Sequence, residues 1–173
     1  ATGEISAGAG VGTSGGTIGF GVKENNYLGR GISLEAEGTL TEESLKGRLN
    51  IRNPNFRNSD KSINFTIQAL EVDRLTDFGY KHNKMGFAIG TDFEYLNDFK
   101  LGIQTSTFYE TIETDSTASA MQKKQKGNYF DTFINFNFDY DKRNQIYQTS
   151  EGFRSRYSID LPIISKSNTL TNS

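Results

Sequence analysis

The 173-residue sequence contains no cysteine, which excludes disulfides and thiolate-bound metal centres. It has a single histidine, His82, in the polar stretch Tyr80-Lys81-His82-Asn83. No second His or carboxylate accompanies it at ligand spacing, so a solvated residue between strands is expected there. One histidine also leaves a Ser-His-Asp relay without a base beside a nucleophile. No apolar run approaches the ~18 residues of a membrane-spanning helix. No basic segment followed by an apolar core opens the chain, so no signal peptide is expected and the chain reads as a mature or excised piece. A net charge of −2 makes no electrostatic case for nucleic acid.

Apolar residues are also scarce, at 34% and a mean hydropathy of −0.59, against roughly 45–50% in packed globules when glycine is counted. What the chain has instead is 13 Phe and 8 Tyr, too many aromatics for simple disorder. It also has a period-two rhythm. Runs such as Thr17-Ile18-Gly19-Phe20-Gly21-Val22-Lys23 and Ser62-Ile63-Asn64-Phe65-Thr66-Ile67-Gln68 place alternate side chains on opposite faces of a strand. A chain hydrophilic on average yet aromatic and alternating fits a barrel with an apolar exterior and a polar lumen.

The alternation predicts nine strands, at 4–12, 17–23, 31–40, 44–52, 61–73, 84–95, 99–112, 129–141 and 153–161, with no helical stretch between them. Most run to about 9–13 residues, nearer the ~9–11 of a tilted transmembrane strand than the ~5–6 of globular sheets. Strand 4–12 is the least regular, with Ile5, Ala7, Ala9 and Val11 against Ser6, Gly8, Gly10 and Gly12, and its glycines specify register weakly. Strand 129–141 is the most regular, although Phe133 intrudes on its polar side. The last strand is expected to stop at Pro162, which cannot donate to a ladder. The tail through Ser173 carries no strand signal, so the sequence reads as a fragment. The connections 74–83 and 113–128 are expected to be long loops on one side, with 24–30, 53–60, 96–98 and 142–152 on the other.

Candidate chemistry is thin. Asp131, Asp139 and Asp141 fit a wet, Asn-lined lumen more simply than calcium binding or acid–base work. The glycines from Gly8 to Gly16 lack the Gly-Lys-Ser/Thr ending and following helix of a phosphate loop. Lys123-Lys124-Gln125-Lys126 reads as a loop tip, with anionic lipid headgroups as the alternative contact. Neither a catalytic, a cofactor nor a metal site is expected.

The connections carry a resemblance. Asn25-Asn26-Tyr27-Leu28-Gly29-Arg30-Gly31 resembles an Asn-aromatic-Leu-Gly-x-Gly turn, and Asn53-Pro54-Asn55-Phe56 a Pro-aromatic-Phe turn with Asn55 at an aromatic position. Asp141-Lys142-Arg143-Asn144, followed by Gln148-Thr149-Ser150-Glu151-Gly152-Phe153, is similar to an Asp-x-Arg-Asp … Pro-Thr-x-Gly turn. Here Asn144 and Gln148 replace the Asp and Pro, and one extra residue precedes Gly152. Thr2 to Gly10 looks like the entry into a first barrel strand. In this order the four landmarks resemble the BamA family of outer-membrane assembly proteins.

That resemblance implies an all-β, antiparallel transmembrane β-barrel, with residues 1–173 forming about nine of about sixteen strands. The periplasmic domains would precede this piece, and the rest of the barrel, with an internal Val-Arg-Gly-Phe loop, would follow it. It further implies a non-enzymatic protein of the bacterial outer membrane, without cofactors. Its partners would be outer-membrane lipids, unfolded outer-membrane protein substrates and accessory lipoproteins. Ile5, Ser6, Ala7, Gly8, Ala9, Gly10, Val11 and Gly12 would form one side of a lateral gate. Ile18, Phe20, Val22, Ile63, Phe65, Ile67, Ile134, Phe136 and Phe138 would face lipid, with Tyr27, Tyr95 and Tyr140 near the interfaces. The rival readings are a TamA-like factor or two-partner secretion transporter of the same superfamily, a passive porin-like channel, and a soluble all-β binding module.

Overall fold

Alternation without interruption favours long ribbons, and the computed structural model, which describes residues 3–12, 15–144, 147 and 150–169, consists of them. The strands are β1 (Gly3–Gly12), β2 (Gly15–Tyr27), β3 (Ile32–Thr41), β4 (Ser44–Asn53) and β5 (Ser62–Arg74). They continue as β6 (Tyr80–Leu96), β7 (Phe99–Thr114), β8 (Gly127–Asp141) and β9 (Arg154–Thr169). All nine lie in one sheet in sequence order, each antiparallel to the next. The two-residue connection 42–43 shares one rim with 75–79 and 115–126; the connections 28–31, 54–61, 97–98 and 142–153 share the opposite rim.

Because paired residues share a face, the register sorts every side chain. Ile18, Phe20 and Val22 pair with Leu40, Gly38 and Ala36. The same face continues through Ile63, Phe65 and Ile67 on β5 to Ile134, Phe136 and Phe138 on β8. The nine residues grouped from sequence therefore lie on one continuous apolar face. The other face carries Arg48, Asn50 and Arg52 on β4 and Asn135, Asn137 and Asp139 on β8. There Asn50 Nδ2 donates to Asn64 Oδ1 (2.9 Å) and to Thr66 Oγ1 (2.7 Å).

A single layer encloses no core. Among the described residues Ala118 is the only buried hydrophobic, while Met85, Phe87 and Ile89 remain 62%, 51% and 52% exposed. Apolar area left uncovered on this scale marks a surface that meets another apolar phase. Glycines admit aromatic rings across the ladder: Phe20 lies over Gly38, and Phe108 over Gly86, each where a β-carbon would otherwise sit.

Four expectations need correction. β6 begins at Tyr80, so 74–83 is not a long loop; a one-turn helix α1 (Leu75–Phe78) and Gly79, in the left-handed region at φ 71°, make the reversal. His82 is consequently a strand residue opposite Ile112, and a carboxylate does accompany it: its Nε2 lies 2.6 Å from Glu110 Oε1. β9 runs through Pro162 to Thr169. The missing N–H is absorbed by a bulge, where the register steps from Phe133↔Pro162 to Thr132↔Ile164 and leaves Ile163 unpaired. Phe133, the intruder, sits at that bulge. Finally, the basic run is partly helical: α2 (Ala120–Lys124) starts in a capping box between Ser119 and Gln122.

Candidate functional site: the β1 edge and the turn rim

β1 pairs only with β2, so its outer N–H and C=O row has no partner among the described residues. Every residue of it is exposed, with Ile5 at 85% and Val11 at 92%. Ile5, Ala7 and Ala9 lie opposite Val22, Phe20 and Ile18 on the apolar face, and Ser6, Gly8 and Gly10 opposite Gly21, Gly19 and Thr17 on the polar one. Among the described residues, Ser6 Oγ donates across this pair to Gly21 O, at 3.4 Å. A β-carbon at Gly8, Gly10 or Gly12 would meet nothing within 4 Å. Packing against β2 therefore does not demand these glycines, whose effect on β1 is to remove side-chain contact and β-propensity.

The three turn motifs of the resemblance fall on one rim and hold it by local hydrogen bonds. In the first turn Asn26 Oδ1 accepts from Gly31 N (2.6 Å) and Asn26 O from Gly29 N (3.0 Å). The reversal is made by left-handed Leu28, Gly29 and Gly31, at φ 57°, 67° and 66°. It follows a bulge between Glu24 and Tyr27 and leaves Leu28 72% exposed. In the second turn Asn53 Oδ1 accepts from Asn55 N at 3.1 Å, Pro54 restricts φ, and Phe56 N donates to Lys61 O at 2.8 Å. In the third, the Arg143 guanidinium grips Asp141 through two bonds of 2.8 and 2.7 Å, which raises the Arg143 pKa above its ordinary value. Gly152, at φ 96°, admits the Lys142 carbonyl where a β-carbon would stand. Asn144, in the place of the motif's Asp, receives Ser150 N and Glu151 N on its Oδ1, each at 3.3 Å. Thr149 lies outside the described residues.

Beside this turn is a network that periodicity did not signal. Arg154 binds Asp139 and approaches Asp141 at 3.5 Å, and Arg156 approaches Asp139 at 3.5 Å. Asp139 and Asp141 are thus taken up in ion pairs, and Asp131 accepts a hydrogen bond from Ser165 Oγ at 2.7 Å. No group of carboxylate or imidazole ligands suited to a metal occurs among the described residues.

Residues 26–172 match the Omp85 superfamily domain. The chain belongs to the Omp85 superfamily. The fold agrees: the crystal structure of BamA from Haemophilus ducreyi lacking POTRA domains 1–3 superposes at a TM-score of 0.60 and 20% identity, over 94% of this chain. This chain spans 34% of that one, so the open sheet corresponds to part of an outer-membrane barrel. For an Omp85 protein the turns carried the signal that alternation alone did not, because alternation is common to any half-buried sheet.

Proposed function

We propose that this chain is the N-terminal portion of the barrel of a bacterial outer-membrane protein insertase. In this reading β1 is one side of a lateral gate, and its edge templates strands of incoming substrate. The observation that carries it is β1 itself, an edge strand of the sheet whose glycines leave it little side-chain contact with β2. Such an edge recruits another strand through main-chain hydrogen bonds, and in lipid it is costly unless satisfied. The apolar face, including Ile18, Phe20, Val22, Ile63, Phe65, Ile67, Ile134, Phe136 and Phe138, meets lipid, and the polar face lines the lumen. The motif rim is periplasmic, and the loop 115–126 is extracellular. Strand exchange of this kind needs no nucleotide, cofactor or catalytic group. Unfolded outer-membrane proteins and accessory lipoproteins are the partners it implies.

The test is to place Cys at Ala7 or Ala9 in the full-length protein and crosslink it to the closing strand. The gate reading expects growth to fail when the seam is locked and to recover on reduction. Unimpaired growth with the seam locked would sink it.

A further inference from the structure

The rim that carries 75–79 and 115–126 has a seam. Connections join β5 to β6 and β7 to β8 there, but none joins β6 to β7, which meet through the ladder that starts at Tyr80↔Thr114. At its end Asp115 N donates to Gly79 O at 2.8 Å. Two residues further in stands the single histidine. His82 is flanked across the strands by Val72 and Ile112. Its Nε2 atom is buried and lies 2.6 Å from Glu110 Oε1 on β7. A bare ring nitrogen and a carboxylate oxygen are both acceptors and would repel at that distance, so Nε2 carries a proton. The two side chains are 26% and 27% exposed, so solvent reaches the ring, and Nδ1 is the nitrogen that titrates.

The other titratable groups on this side of the sheet are engaged elsewhere or lie farther off. On β6, Tyr80 receives Arg74 Nη1 at 3.4 Å, and Arg74 is held by Glu43 at 2.5 Å. Lys84 stands across from Glu110, but its ammonium lies over the Phe108 ring, 4.8 Å from the centroid. On β8, Tyr129 pairs with Glu110 and donates its hydroxyl to Gln125 O at 2.7 Å. On β4, Lys46 is separated from β6 by Leu70. In the loop, Asp115 accepts from Thr117 and Lys123 donates to Ser116 O.

We propose that His82 and Glu110 form a clamp across this seam, fastened when the imidazole is protonated and loosened when it is neutral. A neutral ring offers Glu110 a donor; a charged ring adds an ion pair in a part-buried setting, where attraction is screened less than at the surface. That pair needs an ionised carboxylate and a charged imidazole, which ordinary values place between about pH 4.3 and about pH 6.5. It is lost as pH rises through the imidazole range. The clamp follows from the register of β6 on β7. The outer-membrane reading adds that the pH it senses is that of the external medium.

The experiment uses the full-length protein folded into phosphatidylcholine vesicles, with folding read by heat-modifiable electrophoretic mobility. Amide exchange of residues 80–84 and 110–114, corrected for the intrinsic pH dependence of exchange, is compared at about pH 5.5 and about pH 8. The expectation is protection roughly two- to fivefold greater at the lower pH, the scale of a part-exposed ion pair. His82→Gln keeps a donor and cannot charge; Glu110→Gln keeps an acceptor and cannot ionise. Each should make protection independent of pH, and the double variant should add nothing further. Residues 62–68, at the far end of β5, should show no pH dependence in any of these proteins. A flat profile for the unmodified protein, or a pH dependence that survives in either single variant, overturns the proposal. The unmodified protein's own profile decides the matter if neither variant folds. Failure of the unmodified protein to enter vesicles would instead sink the membrane reading, and the clamp is then tested by the same comparison in detergent micelles.

Discussion

The β1–β2 pair and the β8–β9 pair share one antiparallel backbone ladder and differ in almost everything attached to it. β8–β9 is fastened by Arg154 on Asp139, by Asn135 Nδ2 donating to Ser158 Oγ (3.0 Å) and to Asp160, and by Ser165 on Asp131. The Phe138 and Tyr157 rings pack at 6.5 Å. β1–β2 has Ser6 Oγ on Gly21 O, and glycines where a cross-strand neighbour would add contact. Main-chain hydrogen bonds make a sheet, but side-chain pairs set how hard a particular seam is to part. In the gate reading, one end of this sheet is built to hold and the other to release.

The largest expected effect breaks the holding end. Phe136→Arg puts a charge on the apolar face of β8 and should cost about 2–4 kcal/mol if that position lies near the bilayer midplane, measured as the free energy of folding into vesicles by urea titration. Loss of folding in detergent-free buffer, with no dependence on lipid, would point to a soluble core instead. Next, Asp139→Ala frees Arg154 and Arg156 of their shared partner and should cost about 0.5–1 kcal/mol, because these groups are part-exposed. Hydrogen exchange should locate that loss in β8–β9 and leave β1–β2 unchanged.

Comparable in size and opposite in sign, Gly8→Val should stabilise the releasing end by about 0.5–1 kcal/mol. It removes unfolded-chain entropy, raises β-propensity and meets no steric obstacle. Slower amide exchange in β1–β2 is the readout, and the gate reading adds slower substrate insertion in the full-length protein. Unchanged exchange would show that side-chain poverty is not what loosens β1.

The smallest effect concerns the loop 115–126. The hydroxyl of Thr117, together with its N–H, donates to Asp115 Oδ1 at 2.6 and 2.7 Å, holding the carboxyl below its ordinary pKa. A depressed acid contributes order that is complete above the unfolded carboxylate value, about 3.9, and is lost as pH falls through the lower folded value. Exchange protection of this loop should therefore be flat from neutral pH down to about 4 and decline below it. Asp115→Asn should remove that decline.

The sheet itself was legible in the residues, because a period of two admits one secondary structure; the runs 17–23 and 62–68 keep it strictly, and 129–141 departs from it only at Phe133. The errors fell where alternation continues through residues that look like punctuation. Tyr80-Lys81-His82-Asn83 reads as a polar loop, yet His82 and Lys84 are in phase with Gly86 and Ala88, so β6 extends through them. Pro162 reads as a stop, yet one extra residue in a bulge lets the ladder resume. Arg154 lies far in sequence from Asp139, and a pairing across 15 residues depends on register, which periodicity leaves open.

Sequence alone determined that this chain is a succession of two-faced ribbons with no cysteine to hold a metal, and its turns pointed to a family. Those properties are local: side-chain alternation, φ restriction at Pro54, left-handed backbone at Gly29, Gly31 and Gly152. Only the tertiary structure decided which residues share a level across strands. That Phe20, Gly38, Gly47, Ala69, Met85 and Tyr109 stand at one level is a property of six aligned registers, and a shift of one residue in any of them would turn a strand's side chains to the opposite face.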